Sequence, residues 1–314
     1  ALIRINAHGT TPILHGAGQG IRATLRHALT TPGPVAIMIH GYRFQPGDPA
    51  HCPHLHILSL QDADCPRALS WPRRLGFDSH GVGIAFGWNA RGSLKQARSA
   101  ATAAAQALTN LIAILRALAP DRPVHLVGHS LGGFVALRAL HGARAGDVGR
   151  VILLNAAAFQ HDATRALASP AGRGAEIFNI ASRENALFDF LYRHALKRRD
   201  RPLGRGLFAR NAMTIQLDDF RTLTRLSELG FAIAPPHRRA ELHSRDVADR
   251  DRDVVAHCDH RIAQILNRNR FFQDFCDRSV PDQIDRQIPG RRQSSLPALH
   301  HDETSGPGRL RVLH

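Results

Sequence analysis

Cysteine is scarce in this chain, with four in 314 residues (Cys52, Cys65, Cys258, Cys276) and no Cys-x-x-Cys pair. That spacing excludes a disulfide-stapled scaffold and the common structural zinc patterns, and leaves free thiols as the expectation. Long apolar runs are also missing. Nothing approaches the roughly 18 consecutive apolar residues of a membrane span, and the opening Ala1-Leu2-Ile3-Arg4-Ile5-Asn6 is too polar for a signal peptide. A cytoplasmic location is therefore expected. Lysine is almost absent: only Lys95 and Lys197 stand among 41 basic residues. Tryptophan and tyrosine occur twice each. No nucleic-acid recognition motif accompanies the basic residues, and no nucleic-acid partner is expected.

What is present is a strongly basic, half-apolar chain with a formal net charge of +15 and 43% hydrophobic residues. The charge is unevenly placed. Residues 1–240 hold 29 Lys+Arg against 14 Asp+Glu, whereas residues 241–314 hold 12 of each. An excess confined to the apolar-patterned part invites an anionic membrane surface as a weak partner, although a solvated Arg-rich surface explains it as well. The two parts differ in pattern too: residues 1–240 read as one domain. Residues 241–314 carry Arg-Asp repeats and a Gln/Arg/Pro/Ser-rich end, with a helical run only at 254–275, and are expected to be a poorly ordered appendage or an aberrant reading frame.

Within the first part, short apolar runs alternate with helical periods. Leu2 to Asn6 alternates as an exposed first strand would, and Gly16, Gly18 and Gly20 mark a loop whose spacing is wrong for a dinucleotide fingerprint. Val35 to Ile39 is continuously apolar, the mark of a strand buried on both faces. Residues 44–80 read as a loop excursion. The His51-x-x-His54-x-His56 spacing raises a metal, but no acidic or cysteine partner follows at a ligand distance, so no metal or cofactor is expected. Trp71 and Phe77 would pin the end of the excursion to the core. Val82 to Trp88 reads as a strand, Leu94 to Leu118 as an Ala-rich helix, and Val124–Val127, Val151–Leu154, Ile177–Ile180, Met213–Leu217 and Phe231–Ala234 as further strands. A βαβαβ pattern of this kind predicts an α/β fold with a doubly wound, mostly parallel sheet and helices on both faces, with ligands at the carboxyl ends of its strands.

One such end carries chemistry. Val124-His125-Leu126-Val127-Gly128-His129-Ser130-Leu131-Gly132-Gly133 places a serine between glycines, where strand passes directly to helix. The glycines permit a turn sharp enough to push the Ser130 hydroxyl out of the sheet as a nucleophile. Acyl transfer also needs backbone N–H donors where the oxyanion forms, and the Tyr42 and Leu131 N–H groups are the candidates, Tyr42 following His40-Gly41 at the end of an early strand. His40, Gly41, His129 and Trp88 are expected to line the substrate's approach.

His40-Gly41, the Gly128-His129-Ser130-Leu131-Gly132-Gly133 elbow and the strand order resemble the α/β-hydrolase superfamily, specifically its bacterial serine esterase/lipase-like members, over roughly residues 30 to 240. The resemblance implies serine, acid and histidine in chain order, acting on a small-molecule or lipid ester without a cofactor. For the acid, Glu184 is the only carboxylate in the loop after the Ile177–Ile180 strand. Asp189 lies one turn into the next helix, where an ion pair with Arg193 at i+4 is its plain alternative. For the base, His237 follows Pro235-Pro236, and His243 lies where the resemblance puts a histidine. The basic run Arg193, Lys197, Arg198, Arg199, Arg201, Arg205 and Arg210 is expected to be a solvated face or an anion-steering loop. A serine esterase is the leading reading. A catalytically impaired binding protein on the same fold and an Arg-rich binder of anionic surfaces are the rivals.

Overall fold

The computed structural model describes residues 1–16, 20–61 and 70–228, with residue 184 described by its backbone alone. Eight strands form one sheet: β1 (Leu2–His8), β2 (Thr11–Leu14), β3 (Val35–Ile39), β4 (Val82–Gly87), β5 (Val124–His129), β6 (Val148–Leu154), β7 (Glu176–Ala181) and β8 (Ala212–Gln216). Their order is β2-β1-β4-β3-β5-β6-β7-β8. Every pairing is parallel except the β1–β2 hairpin.

The continuous apolar runs are explained by the two faces. Val35, Ile37 and Ile39 of β3 enter one core cluster, and Ala36 and Met38 enter the other. β5 divides likewise, with Val124 and Leu126 on one side and Val127 on the other. The first face is covered by α1 (Ile21–Ala28), α3 (Leu94–Leu118), α4 (Leu131–Ala139), α5 (Gln160–Ala168) and α6 (Pro170–Gly174). The second is covered by α2 (Trp71–Arg74), whose Trp71 packs with Leu75 and Phe77, and by Leu226 of α8 (Phe220–Glu228). The helix α7 (Ala186–Ala195) follows β7 and joins the first face through Tyr192.

α3 is long and apolar enough to cross a membrane by length and composition, but here it is the central core helix. A Ser93–Gln96 capping box starts it, and Ala97, Ala101, Ala104, Leu108, Leu111 and Leu115 form its buried stripe. One charged side chain on α3 braces its neighbours. Arg98 is held bidentately by Asp162 of α5 at 2.9 and 3.0 Å, donates to the Tyr192 hydroxyl of α7, and lies 3.9 Å over the Phe134 ring of α4. Both ionic partners are largely buried, so losing either would leave an uncompensated charge in the helix layer.

β1, expected as an exposed first strand, is partly buried. It lies inside the sheet between β2 and β4, and β2 is the edge. Its alternation reports that α3 covers only one of its faces, which says nothing about its neighbours in the sheet. The run 231–234, the imidazoles His237 and His243, and the whole of 241–314 lie outside the described residues.

Candidate active site

β3 and β5 are neighbours, and the chain moves outward from them in opposite directions, to β4 and β1 on one side and to β6, β7 and β8 on the other. Their carboxyl ends therefore flank the crevice where a doubly wound sheet receives a ligand. β3 ends at His40-Gly41 and β5 at His129, so the sheet order alone brings the two sequence motifs side by side.

The elbow is a strained turn. Ser130 has φ +50° and ψ −121°, a region that side-chain-bearing residues rarely occupy and that costs about 1–3 kcal/mol. Its backbone is fixed on all sides. The Ser130 N–H donates to the Leu154 carbonyl at 3.0 Å, and its own carbonyl accepts from Gly133 at 3.0 Å and Ala157 at 2.9 Å. Serine at a helix N-cap normally spends its hydroxyl on the first-turn N–H groups. Here Ser130 caps α4 with no side-chain hydrogen bond, which leaves Oγ uncommitted at a partly exposed position. Leu131, the first helical residue, has no intrahelical acceptor for its N–H.

The glycines around it are required by contact. A Cβ on Gly128 would stand 2.6 Å from the Gly132 carbonyl oxygen, and one on Gly132 would stand 2.2 Å from that of Ile39. One on Gly41 would meet the Ser130 Cβ at 2.8 Å. Gly41 is thus the wall against which Ser130 sits, and Tyr42 leaves that wall as the next residue. The turn is tied down beyond it: Arg43 N–H donates to Ala90 and Ala90 N–H to Phe44, while the Tyr42 hydroxyl donates to the Gly92 carbonyl.

His40 and Trp88, expected to line the substrate's approach, are fully buried at 0% and 1% exposure and instead support this loop from beneath. The Trp88 backbone N–H donates to His40 Nε2 at 3.0 Å, so that nitrogen is the acceptor and the proton is on Nδ1, which donates to the Gly41 carbonyl at 2.9 Å. The Trp88 indole returns a hydrogen bond to the His40 carbonyl at 3.1 Å, and the two rings stack. The neutral tautomer is the only one that fits. Burial, with the neighbouring His129 adding to it, pushes the His40 imidazole down to about 4. His129 itself is half-buried, with its ring edge-on to Trp71.

A pH dependence follows with a definite sign. The unfolded chain binds a proton on His40 near pH 6.5 and the folded chain only near 4, so stability is complete above 6.5 and falls as the pH drops through that window. His54, fully buried and pushed down to about 2 chiefly by burial, acts in the same direction. From His40 alone the folded state is expected to be about 2 kcal/mol less stable at pH 5 than at pH 7. Urea midpoints at the two pH values check this, and equal midpoints would refute it.

On the acid side, Glu184 lies in the single 3₁₀ turn Arg183–Asn185 directly after β7. Two residues missed in the sequence shape this region. Asn155, at the end of β6, adopts φ +44°, and its Oδ1 accepts from the Ser182 N–H at 3.1 Å, fastening the loop after β7 to the strand beside the elbow. Asp218, just past β8, accepts from the Arg183 N–H at 3.1 Å and from the Gln216 amide at 2.6 Å. An Asn closing an apolar strand run, a residue tolerant of positive φ, was the available signal for the first. Asp189 is corrected from a surface ion pair. It is 8% exposed, accepts from the Asn185 amide at 3.2 Å and makes no ion pair with Arg193, because this side of α7 lies beneath the turn at Gly204. Burial pushes its carboxyl up to about 6 against the opposing pull of Arg205.

The histidines of the loop excursion do not converge. His51 goes to Asp48, His54 to Asn6 and His56 to the Ala50 carbonyl, and among the described residues no group of three or more His, Cys, Asp or Glu is placed to hold a metal. No imidazole among the described residues hydrogen-bonds the Ser130 hydroxyl; His237 and His243 are outside them.

A family model described as the alpha/beta hydrolase family matches residues 36–305, from β3 through β8 and onward past the described residues. Comparison with curated proteins returned no match.

Proposed function

Because the chain belongs to the alpha/beta hydrolase family, we propose that it is a serine hydrolase that cleaves carboxylic esters through an acyl-enzyme. The observation that carries the reading is the uncommitted Ser130 hydroxyl on a strained elbow, against Gly41 and at the head of α4. A serine in that position with no nucleophilic task would be a poor use of both strain and glycine.

In this reading Ser130 Oγ attacks the acyl carbon while an imidazole takes its proton, and the carbonyl π pair moves onto oxygen. The oxyanion accepts from the Leu131 N–H, reinforced by the amino end of α4, and from the Tyr42 N–H. Collapse expels the alcohol, which takes the proton from the imidazolium. Water then repeats the sequence on the acyl-serine and restores the hydroxyl. The imidazole comes from the segment after α8, with His243 and His237 the candidates, and Glu184 in the turn after β7 is the orienting carboxylate. Asp189 is less suited, since a carboxyl pushed up to about 6 and packed under Gly204 holds an imidazolium weakly.

A fluorophosphonate probe tests the proposal, because it reacts with an activated serine whatever the natural ester. The folded protein is expected to be labelled once, on the peptide containing Ser130. Replacing the true base, His243→Ala or His237→Ala, should slow labelling by a factor of about 10² or more, while the other replacement leaves it unchanged. A folded protein that resists the probe, or is labelled elsewhere, would overturn the reading.

A further inference from the structure

Beside the loop after β7 lies a cavity of about 450 Å³, within the size range of small-molecule sites. Its walls come from α7, from the segment around the turn Leu203–Arg205, and from Ser182 at the end of β7. Four guanidinium groups line it: Arg183, Arg193, Arg201 and Arg205. An arginine cluster on a convex face would ordinarily be solvated or paired. These are gathered around a concavity, and the described residues leave most of them without an anion. Neither Arg193, Arg201 nor Arg205 has a carboxylate within ion-pair distance among the described residues, Arg201 reaches only the Arg205 carbonyl, and Arg183 stands 3.8 Å from Asp218.

Among the described side chains the one carboxyl in the cavity is Asp189, and it is held at the floor. The turn passes so close that a Cβ on Gly204 would fall 2.1 Å from Asp189 Oδ2, and the Asn185 amide holds Oδ1. From the floor it attracts Arg205 without forming a direct ion pair with any arginine of the rim among the described residues. The cavity thus presents several donor forks around an open space, the arrangement that binds planar carboxylate or tetrahedral phosphate bidentately.

Its place relative to the elbow gives it a use. Ser182, in the cavity wall, donates its N–H to Asn155 of the strand beside the elbow, and the Ala157 N–H, two residues on, reaches the Ser130 carbonyl. β7 is two strands from β5, roughly 10 Å at ordinary strand spacing. A ligand could therefore put its ester at Ser130 and an acidic group in the cavity.

We propose that this cavity is a subsite for an anionic group, carboxylate or phosphate, carried by the ester substrate, with Arg193 and Arg205 as its ligands. The assignment to the substrate rests on the serine-hydrolase reading; the anion site itself does not. Equilibrium dialysis with inorganic phosphate reads the site alone. Saturable binding is expected, weakened at least about tenfold in Arg193→Gln/Arg205→Gln. No saturable binding, or binding indifferent to the double substitution, would overturn the site.

A pair of p-nitrophenyl esters, the anionic hemisuccinate and the neutral butyrate, reads the substrate assignment. The wild type should favour the anionic ester in kcat/KM, and the double variant should lose at least about tenfold on that ester while butyrate hydrolysis and fluorophosphonate labelling stay unchanged. Equal losses on both esters, or no preference to lose, would overturn the assignment. If the probe fails to label the folded wild type, the hydrolase reading falls and takes the ester with it, and phosphate binding still decides the site.

Discussion

Ser130→Ala is expected to lower kcat for p-nitrophenyl butyrate hydrolysis by a factor on the order of 10⁶, the loss typical when a triad nucleophile is removed. The effect is large because no neighbouring group can replace the serine. Its hydroxyl is the side chain that the elbow lifts out of the sheet; Leu131 after it is buried in the core, and the half-buried His129 before it lies edge-on to Trp71. The fold should not suffer, since Oγ makes no capping bond whose loss would cost stability. Ser130→Gly separates the two properties further: equally inactive, it relieves the φ +50° backbone and is expected to be more stable by about 1 kcal/mol. Steady-state hydrolysis and urea midpoints together check this. An alanine variant that keeps a tenth of the wild-type rate would place the nucleophile elsewhere.

Gly132→Ala is expected to abolish the folded state or to destabilise it by more than about 4 kcal/mol, in the range reserved for severe core damage. The added methyl would meet backbone on β3 and just after it, the carbonyl oxygen of Ile39 at 2.2 Å and that of His40 at 2.6 Å. Neither can retreat easily. β3 is hydrogen-bonded to β4 on one side and to β5 on the other, and His40 is locked by Trp88. Gly174→Ala is the control: nothing stands within 4 Å of its Cβ position, and its stability should change by less than about 0.5 kcal/mol. Soluble yield and urea unfolding of the two variants measure the contrast. A Gly132→Ala protein with wild-type stability would mean that the elbow is not held as described.

These two residues were legible in the sequence because their signal is local. A glycine at each side of a serine, after an apolar run and before a helical one, encodes its own turn. The Val35–Ile39 strand and the Leu94–Leu118 helix were equally readable from an unbroken apolar stretch and a helical stripe and have the bounds expected of them, while the strand from Val82, expected to run to Trp88, ends at Gly87. What escaped depends on the approach of segments distant in the chain. His40 looked like a residue of the cleft until Trp88 was found stacked on it, and Asp189 looked like half of a surface pair until the turn at Gly204 was found above it. The Asn155 clamp and the arginine-lined cavity arise only when β6, β7 and β8 lie side by side. The alternation of β1 suggested an exposed first strand and gave no sign of the β2 partner outside it, because periodicity along a strand records its faces and never its flanks.

The parallel core carries one more consequence, for the order of events in folding. The glycines shape the serine's turn locally, but much of what holds it arrives from elsewhere in the chain: the Ile39 carbonyl from the strand on one side, the Leu154 carbonyl from the strand on the other, the Ala157 N–H from the loop beyond. Parallel neighbours cannot be closed by a hairpin, and each such pairing waits on a long crossover. The strained backbone of Ser130 thus lacks most of its support until the middle of the sheet is complete. On the proposed reading, the chain carries Ser130 through synthesis as an ordinary serine, and any reactivity it has comes with the finished tertiary structure.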